Sequence, residues 1–153
     1  MKRALVLGLT IIALSNIGVS QTIKNEAGKE RQEGQTAPPA VTLNPASIDF
    51  KEQVAKKASK PRRVTVTNTG GKELYINSAV VEGDNKDDFV VSHDTCTGST
   101  IGVNKSCVID IIFTPSVSEK RKALLTLTDN AMDSPQRVTL TGNGINSVAV
   151  PPR

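Results

Sequence analysis

From Val41 to Gly142 the chain is a succession of short runs rich in Val, Ile, Leu and Thr, each closed by Gly, Pro, Asn or Asp, and none keeps a useful helical period. Side chains on a strand alternate between two faces, so apolar/polar alternation marks a sheet with one dry and one wet face. Over 106–113, Cys107, Ile109, Ile111 and Phe113 fall on one face; over 62–68, Val64 and Val66 oppose Arg63, Thr65 and Thr67. Short strands at this spacing, separated by turn residues, predict an all-β sandwich of immunoglobulin-like type. Seven strands are expected: A over 41–50, B 62–68, C 74–81, D 89–92, E 106–113, F 121–129 and G 136–142. Strand A should break or bend at Asn44-Pro45, because proline cannot donate to a ladder. The large rings are Phe50, Tyr75, Phe89 and Phe113, so three phenylalanines must anchor a core otherwise made of Val, Ile and Leu.

The N-terminal forty residues have a different texture. Met1-Lys2-Arg3 is a basic head, Ala4 to Leu14 an apolar run, and Gly18 and Ser20 stand at the −3 and −1 spacing of a signal-peptidase site. The apolar run is far short of the roughly 20 residues a spanning helix needs. Residues 1–20 are therefore expected to be a cleaved export signal, which leaves no membrane span. Residues 21–40 lack any apolar period and end in Ala37-Pro38-Pro39-Ala40, so a disordered N-terminal linker is expected there. The sandwich is expected as a single domain over 41–145, with a loose tail over 146–153. The formal charge of +4 counts Lys2 and Arg3 and falls by two without them, too mild to point to nucleic acid.

The chain has 2 cysteines. In an exported protein they sit in an oxidising compartment, and two cysteines allow one connectivity, so a Cys96–Cys107 disulfide is expected. The competing metal reading would have only His93 and Asp94 nearby as further ligands, too few for a structural zinc site.

Several segments in order resemble a known family. Asn44-Pro45-Ala46-Ser47-Ile48-Asp49-Phe50 is followed by Val64-Thr65-Val66-Thr67-Asn68-Thr69-Gly70 and Asp88-Phe89. Then come the Cys96…Cys107 pair, Phe113-Thr114-Pro115, Leu125-Thr126-Leu127-Thr128-Asp129-Asn130 and Val138-Thr139-Leu140-Thr141-Gly142-Asn143-Gly144. Over residues 41–145 this order resembles the ASH (abnormal spindle and hydin type) immunoglobulin-like domains, in the bacterial exported form called choice-of-anchor D. The resemblance implies a fold akin to major sperm protein and PapD-like chaperone domains, whose role is to bind other proteins. It brings no catalytic residues. Two stretches depart from the family: Lys51 to Pro61 stands where a neutral, Gly-containing turn is usual, and Ser118-Glu119-Lys120-Arg121-Lys122 replaces a small Gly-bearing turn.

Enzyme chemistry finds little to build on. The single histidine, His93, supplies no nucleophile–base set, and no phosphate loop, nucleophile elbow or zinc-helix motif is present. Gly83-Asp84-Asn85-Lys86-Asp87-Asp88 lacks the spacing and far bidentate acid of an EF-hand and reads as a strand-connecting turn. Asn104-Lys105-Ser106 matches a glycosylation sequon, expected to be unused in a bacterial protein. No cofactor and no metal site are expected.

Successive connections of a sandwich alternate between its poles, so the A–B, C–D and E–F loops should share one end. That end would gather Lys51, Lys56, Lys57, Lys60 and Arg62 with Lys120, Arg121 and Lys122, and the acidic Glu82, Asp84, Asp87 and Asp88. Such charge is usually wet surface that discourages edge pairing. Its sharper reading is a site for an anionic partner formed by Lys56, Lys57, Lys60, Arg62, Lys120, Arg121 and Lys122. The expected function is a non-enzymatic protein-interaction or structural module, periplasmic or extracellular, whose partner is a protein or an anionic surface. The alternative is a PapD-like periplasmic chaperone offering a sheet edge to a client strand.

Overall fold

The computed structural model describes residues 36–147. The expected export signal, nearly all of the linker and the end of the tail lie outside the described residues. The described residues form two packed sheets from nine strands: β1 (Val41–Asn44), β2 (Ser47–Val54), β3 (Arg62–Asn68), β4 (Leu74–Glu82), β5 (Phe89–Asp94), β6 (Thr100–Ile101), β7 (Ser106–Phe113), β8 (Lys120–Asp129) and β9 (Gln136–Ile145). A four-stranded sheet has the order β1-β3-β7-β5 and a five-stranded sheet the order β2-β9-β8-β4-β6.

The expected count of seven becomes nine for two reasons. Strand A is two strands: at Pro45 the chain leaves the first sheet, where β1 runs antiparallel to β3, and enters the second, where β2 runs parallel to β9. A proline at the crossing costs no ladder bond, because it has no N–H to lose. The additional β6 pairs Ile101 and Thr100 with Leu74 and Tyr75, and two residues are too few to carry a readable alternation. Elsewhere the alternation is the one read from the sequence. In β7, Cys107, Ile109, Ile111 and Phe113 are buried while Val108, Asp110 and Ile112 are only half covered. On the wet side Arg63 donates to both carboxylate oxygens of its cross-strand partner Asp110, at 2.8 and 2.9 Å.

The core is continuous between the sheets, from Ile101 and Cys96 at one pole to the phenylalanines at the other. Phe89 stacks on Phe113 with ring centroids 4.7 Å apart, and Phe50 packs against both at 5.8 and 5.5 Å. Offset aromatic clusters of this kind add to the stabilisation from buried area alone. Cys96 and Cys107 are joined as a disulfide and both are buried. Asn68 is fully buried at the same pole: its side-chain amide donates to the carbonyls of Lys72 and Ile101, and its Oδ1 accepts from Gly70 N–H. Those bonds satisfy both ends of a buried amide and fasten the β3–β4 turn to β6. Backbone bonds to that turn begin before Val41: Thr69 N–H donates to Ala40 O and Gly71 N–H to Pro38 O. Gly70 permits this approach, since a Cβ there would meet the Pro38–Ala40 backbone.

Candidate functional site: the charged pole

Three connections meet at the pole above the phenylalanines. In the first, between β2 and β3, Lys56 N–H donates to Pro115 O and Ser59 N–H to Phe113 O, while Ser59 Oγ accepts from Phe113 N–H. In the second, between β4 and β5, Asp88 O accepts from Thr114 N–H and Asn85 Oδ1 from Lys122 N–H. The third, between β7 and β8, receives both sets of bonds and is fastened in turn to β9, where Gly144 N–H donates to Glu119 O. The loops are thus cross-braced through backbone groups and the Ser59 and Asn85 side chains, which leaves the lysine side chains at the surface.

Within this pole the basic residues divide. Lys56, Lys57, Lys60, Arg62, Lys120 and Lys122 are all exposed, and among the described residues none makes an ion pair. Arg121 is different. Its Nε donates to Asp88 Oδ2 at 2.5 Å and its Nη2 to Ser116 Oγ, and both charged side chains are largely buried, at 16% and 6% exposure. A guanidinium held in this way is a structural brace, because moving it would strand a buried carboxylate. Lys51 is also engaged: its Nζ lies 2.7 Å from Asp49 Oδ2, and this contact lowers the Asp49 carboxyl below the usual range.

Two of the free lysines lie on the outer face of the five-stranded sheet. There β2, β9 and β8 place Asp49, Thr141 and Lys122 in one cross-strand row and Glu52, Asn143 and Lys120 in the next. These rows line an open groove of about 480 Å³, to which Lys51 also contributes. Lys56, Lys57, Lys60 and Arg62 are not part of its lining and project from the neighbouring loop.

Lys51 and Lys56 have left-handed backbone, with φ of 61° and 65°. A side chain in that region costs about 1–2 kcal/mol relative to glycine's freedom there. Both fall in the stretch where the resembled family usually carries a glycine-containing turn, so this chain keeps lysine where glycine would be the easier residue. Sequence reading alone finds the unusual composition of this turn but not its backbone conformation.

The other sites weighed from the sequence look different in three dimensions. Asp88 and Asn85 of the acidic turn are bound to Arg121 and to Lys122 N–H, so two of its oxygen donors point at protein partners. Among the described residues no group of three or more His, Cys, Asp or Glu side chains is arranged to hold a metal ion. His93 is exposed on β5, opposite Asp110 in register. Among the described residues no helix is long and apolar enough to cross a membrane, which says nothing of strands.

Two sheets of this order, closed by a buried disulfide and carrying their chemistry in loops, define an immunoglobulin-like module. Its sequence over residues 39–144 matches the family model for the HYDIN/CFA65/VesB-like Ig-like domain, and the chain belongs to that family. The family match and the ASH/PapD-like likeness below agree with the ASH-type resemblance drawn from the sequence. No curated protein matches the chain. Among solved structures it is similar to a Porphyromonas gingivalis protein of unknown function, with 14% identity and a TM-score of 0.57 over 78% of this chain and 60% of the other. It is also similar to the secreted serine protease VesC of Vibrio cholerae, with 14% identity and a TM-score of 0.55, covering 75% of this chain but 25% of VesC. The ASH/PapD-like domain 7 of human CEP192 matches with 13% identity and a TM-score of 0.52, over 88% of this chain and 100% of that domain. The chain therefore spans 60% and 25% of the first two structures, and likeness at such identity concerns the fold alone.

Proposed function

We propose that this protein is an exported, non-enzymatic interaction module of the cell envelope or exterior, and that its charged pole takes an anionic partner. The observation that carries the reading is the set of exposed cations at one end, on the braced β2–β3 loop and the adjoining ends of β3 and β8, which make no ion pair among the described residues, with Lys56 in left-handed backbone. Strained conformations persist where something other than stability maintains them. Export is supported by the basic head and apolar run of residues 1–20 and by the disulfide, a bond that lasts in oxidising compartments. The anion-binding set is Lys56, Lys57, Lys60, Arg62, Lys120 and Lys122. Arg121 belongs beneath it as the brace that positions β8.

The test is binding to vesicles containing anionic lipid and to an acidic polysaccharide, measured from low to high salt. Exposed charges act over about 10 Å at 0.1 M salt and far less at 1 M, so binding should weaken steeply as salt rises. Reversing Lys56, Lys57, Lys120 and Lys122 to Glu should abolish it. Lys56→Gly should weaken binding while raising stability by about 1 kcal/mol, because glycine removes the left-handed strain. Binding that persists at high salt, or that survives the charge reversal, refutes the reading.

A further inference from the structure

The two flanks of the sandwich treat their sheet edges differently. On one flank the edges are β1 and β2. β1 is four residues long and ends at Pro45, and β2 is bent by the irregularity between Asp49 and Glu52, with Lys51 at the bend. Short strands, proline, bulges and lysines are the usual devices that stop an edge from pairing with another chain. On the other flank the five-stranded sheet ends in β4, and the two-residue β6 covers only its beginning. Ile76 is the last β4 residue bonded on that side, donating to Ser99 O and accepting from Gly98 N–H. Beyond it the register with β8 is irregular at Asn77, after which Ser78-Ala79-Val80-Val81-Glu82 pairs with β8 alone among the described residues, and 77–82 contains no lysine, arginine or proline.

We propose that the lane beyond β6, which no strand among the described residues occupies, accepts an extended peptide segment that adds a strand beside Asn77–Glu82. The open edge is about 20 Å long at the strand rise per residue, enough for a six-residue ligand strand. Ala79 and Val81 of β4, with Val91 of β5, pack on the core but remain only partly covered, while Val80 is exposed on the outer face at 45%. An added strand would cover this apolar seam on one face and Val80 on the other, so its own side chains should alternate about a β-branched apolar pattern. Charge supplies the second requirement. Glu82, at the end of the edge, and Asp84 and Asp87, in the turn that follows, make no ion pair among the described residues. A lysine or arginine at the end of the segment beside that turn complements them. Added strands draw affinity from main-chain bonds and specificity from alternate side chains, and both are provided here.

The probe is the synthetic peptide Lys-Val-Thr-Val-Thr-Val-Lys, blocked at both ends and mixed with the full chain. Backbone amide exchange at 77–82 should slow on the order of tenfold at saturating peptide, with β1 and β2 unaffected. Val80→Lys, which places an edge-blocking charge on an exposed position, should abolish that protection without unfolding the protein. An analogue with Glu at both ends should bind on the order of tenfold more weakly, by like-charge repulsion. Unchanged exchange at 77–82 overturns the proposal, as does equal binding by Val80→Lys or by the Glu-ended peptide. A free protein that sediments as a dimer with these amides already protected assigns the lane to a second copy and likewise overturns it. None of these outcomes depends on the lysines of the charged pole, so the two readings stand or fall separately.

Discussion

The ring of Phe113 occupies the space where a side chain at Gly142 would begin: a Cβ there would stand 2.7 Å from Cζ and 2.8 Å from Cδ1. Gly142 faces inward on β9 beneath the charged pole, and Phe113 is fully buried between Phe50 and Phe89. Gly142→Ala should therefore displace the ring and cost about 1–3 kcal/mol, the usual penalty for overpacking a core. Urea denaturation followed by circular dichroism measures it. A midpoint equal to that of the parent would mean that the three rings repack freely.

The disulfide should carry a large share of the stability of so small a domain. It closes a loop with a sequence separation of 11 residues. Restricting the unfolded chain over that length is worth about 3 kcal/mol in the chain-entropy account. The double substitution Cys96→Ala, Cys107→Ala should lower the melting temperature by about 10 °C or more in a domain of this size. Thermal unfolding of the variant, and of the parent with reductant, should agree.

Arg121→Met should destabilise the fold by about 3 kcal/mol, because it leaves Asp88 charged, buried and short of its partner. Asp88→Asn together with Arg121→Met should recover part of that loss, and a double-mutant cycle gives the coupling. Arg121→Met should leave anion binding at the pole nearly unchanged once the comparison is made on folded protein. A loss of binding as large as that caused by Lys122→Glu would place Arg121 among the contacting cations instead.

Asp129 provides a pH dependence of opposite sign to most carboxylates. Burial raises its carboxyl above the usual value, the Ala131 N–H opposes this, and the charge of Asp133 adds to the rise. Its Oδ1 accepts from Ala131 N–H, whereas the buried Oδ2 has no partner among the described residues. With the folded pKa above the unfolded one, the native state binds the proton more tightly. This group therefore penalises folding once the pH rises through the folded pKa, and the penalty disappears below the unfolded value. Asp129→Asn should stabilise the protein near neutral pH, with a gain that shrinks towards about pH 3. Denaturation midpoints of both forms across that range test it; a gain independent of pH would contradict the assignment.

Six of the seven expected strands fall where they were read; in β3 and β7 one face is dry and the period of two is written into neighbouring residues, and the others are bounded by turn residues. The first strand was legible as extended chain with a break at Pro45, but its change of sheet was not. That change depends on β3 and β9, whose pairing with β1 and β2 is non-local. The same limit applies at the charged pole. Loop alternation was enough to bring 51–61, 82–88 and 118–122 together, yet it treated all the cations alike. Arg121 is set apart from Lys120 and Lys122 chiefly by the buried Asp88, which lies on another connection and meets it across the fold. Lys51, left out of the anion-binding set, lines the sheet-face groove with its charge already matched by Asp49.

By itself, then, the sequence determined the class of fold, the cysteine pairing and the end of the sandwich on which charge collects. All three follow from spacing along the chain: a period of two, a pair with one connectivity, and connections that alternate between poles. Tertiary structure alone decided which cations have no ion pair, which backbone positions are left-handed and which sheet edge has no neighbour among the described residues. Those properties belong to groups brought together from distant parts of the chain, where a single hydrogen bond or a missing neighbour settles whether a side chain is bound or available.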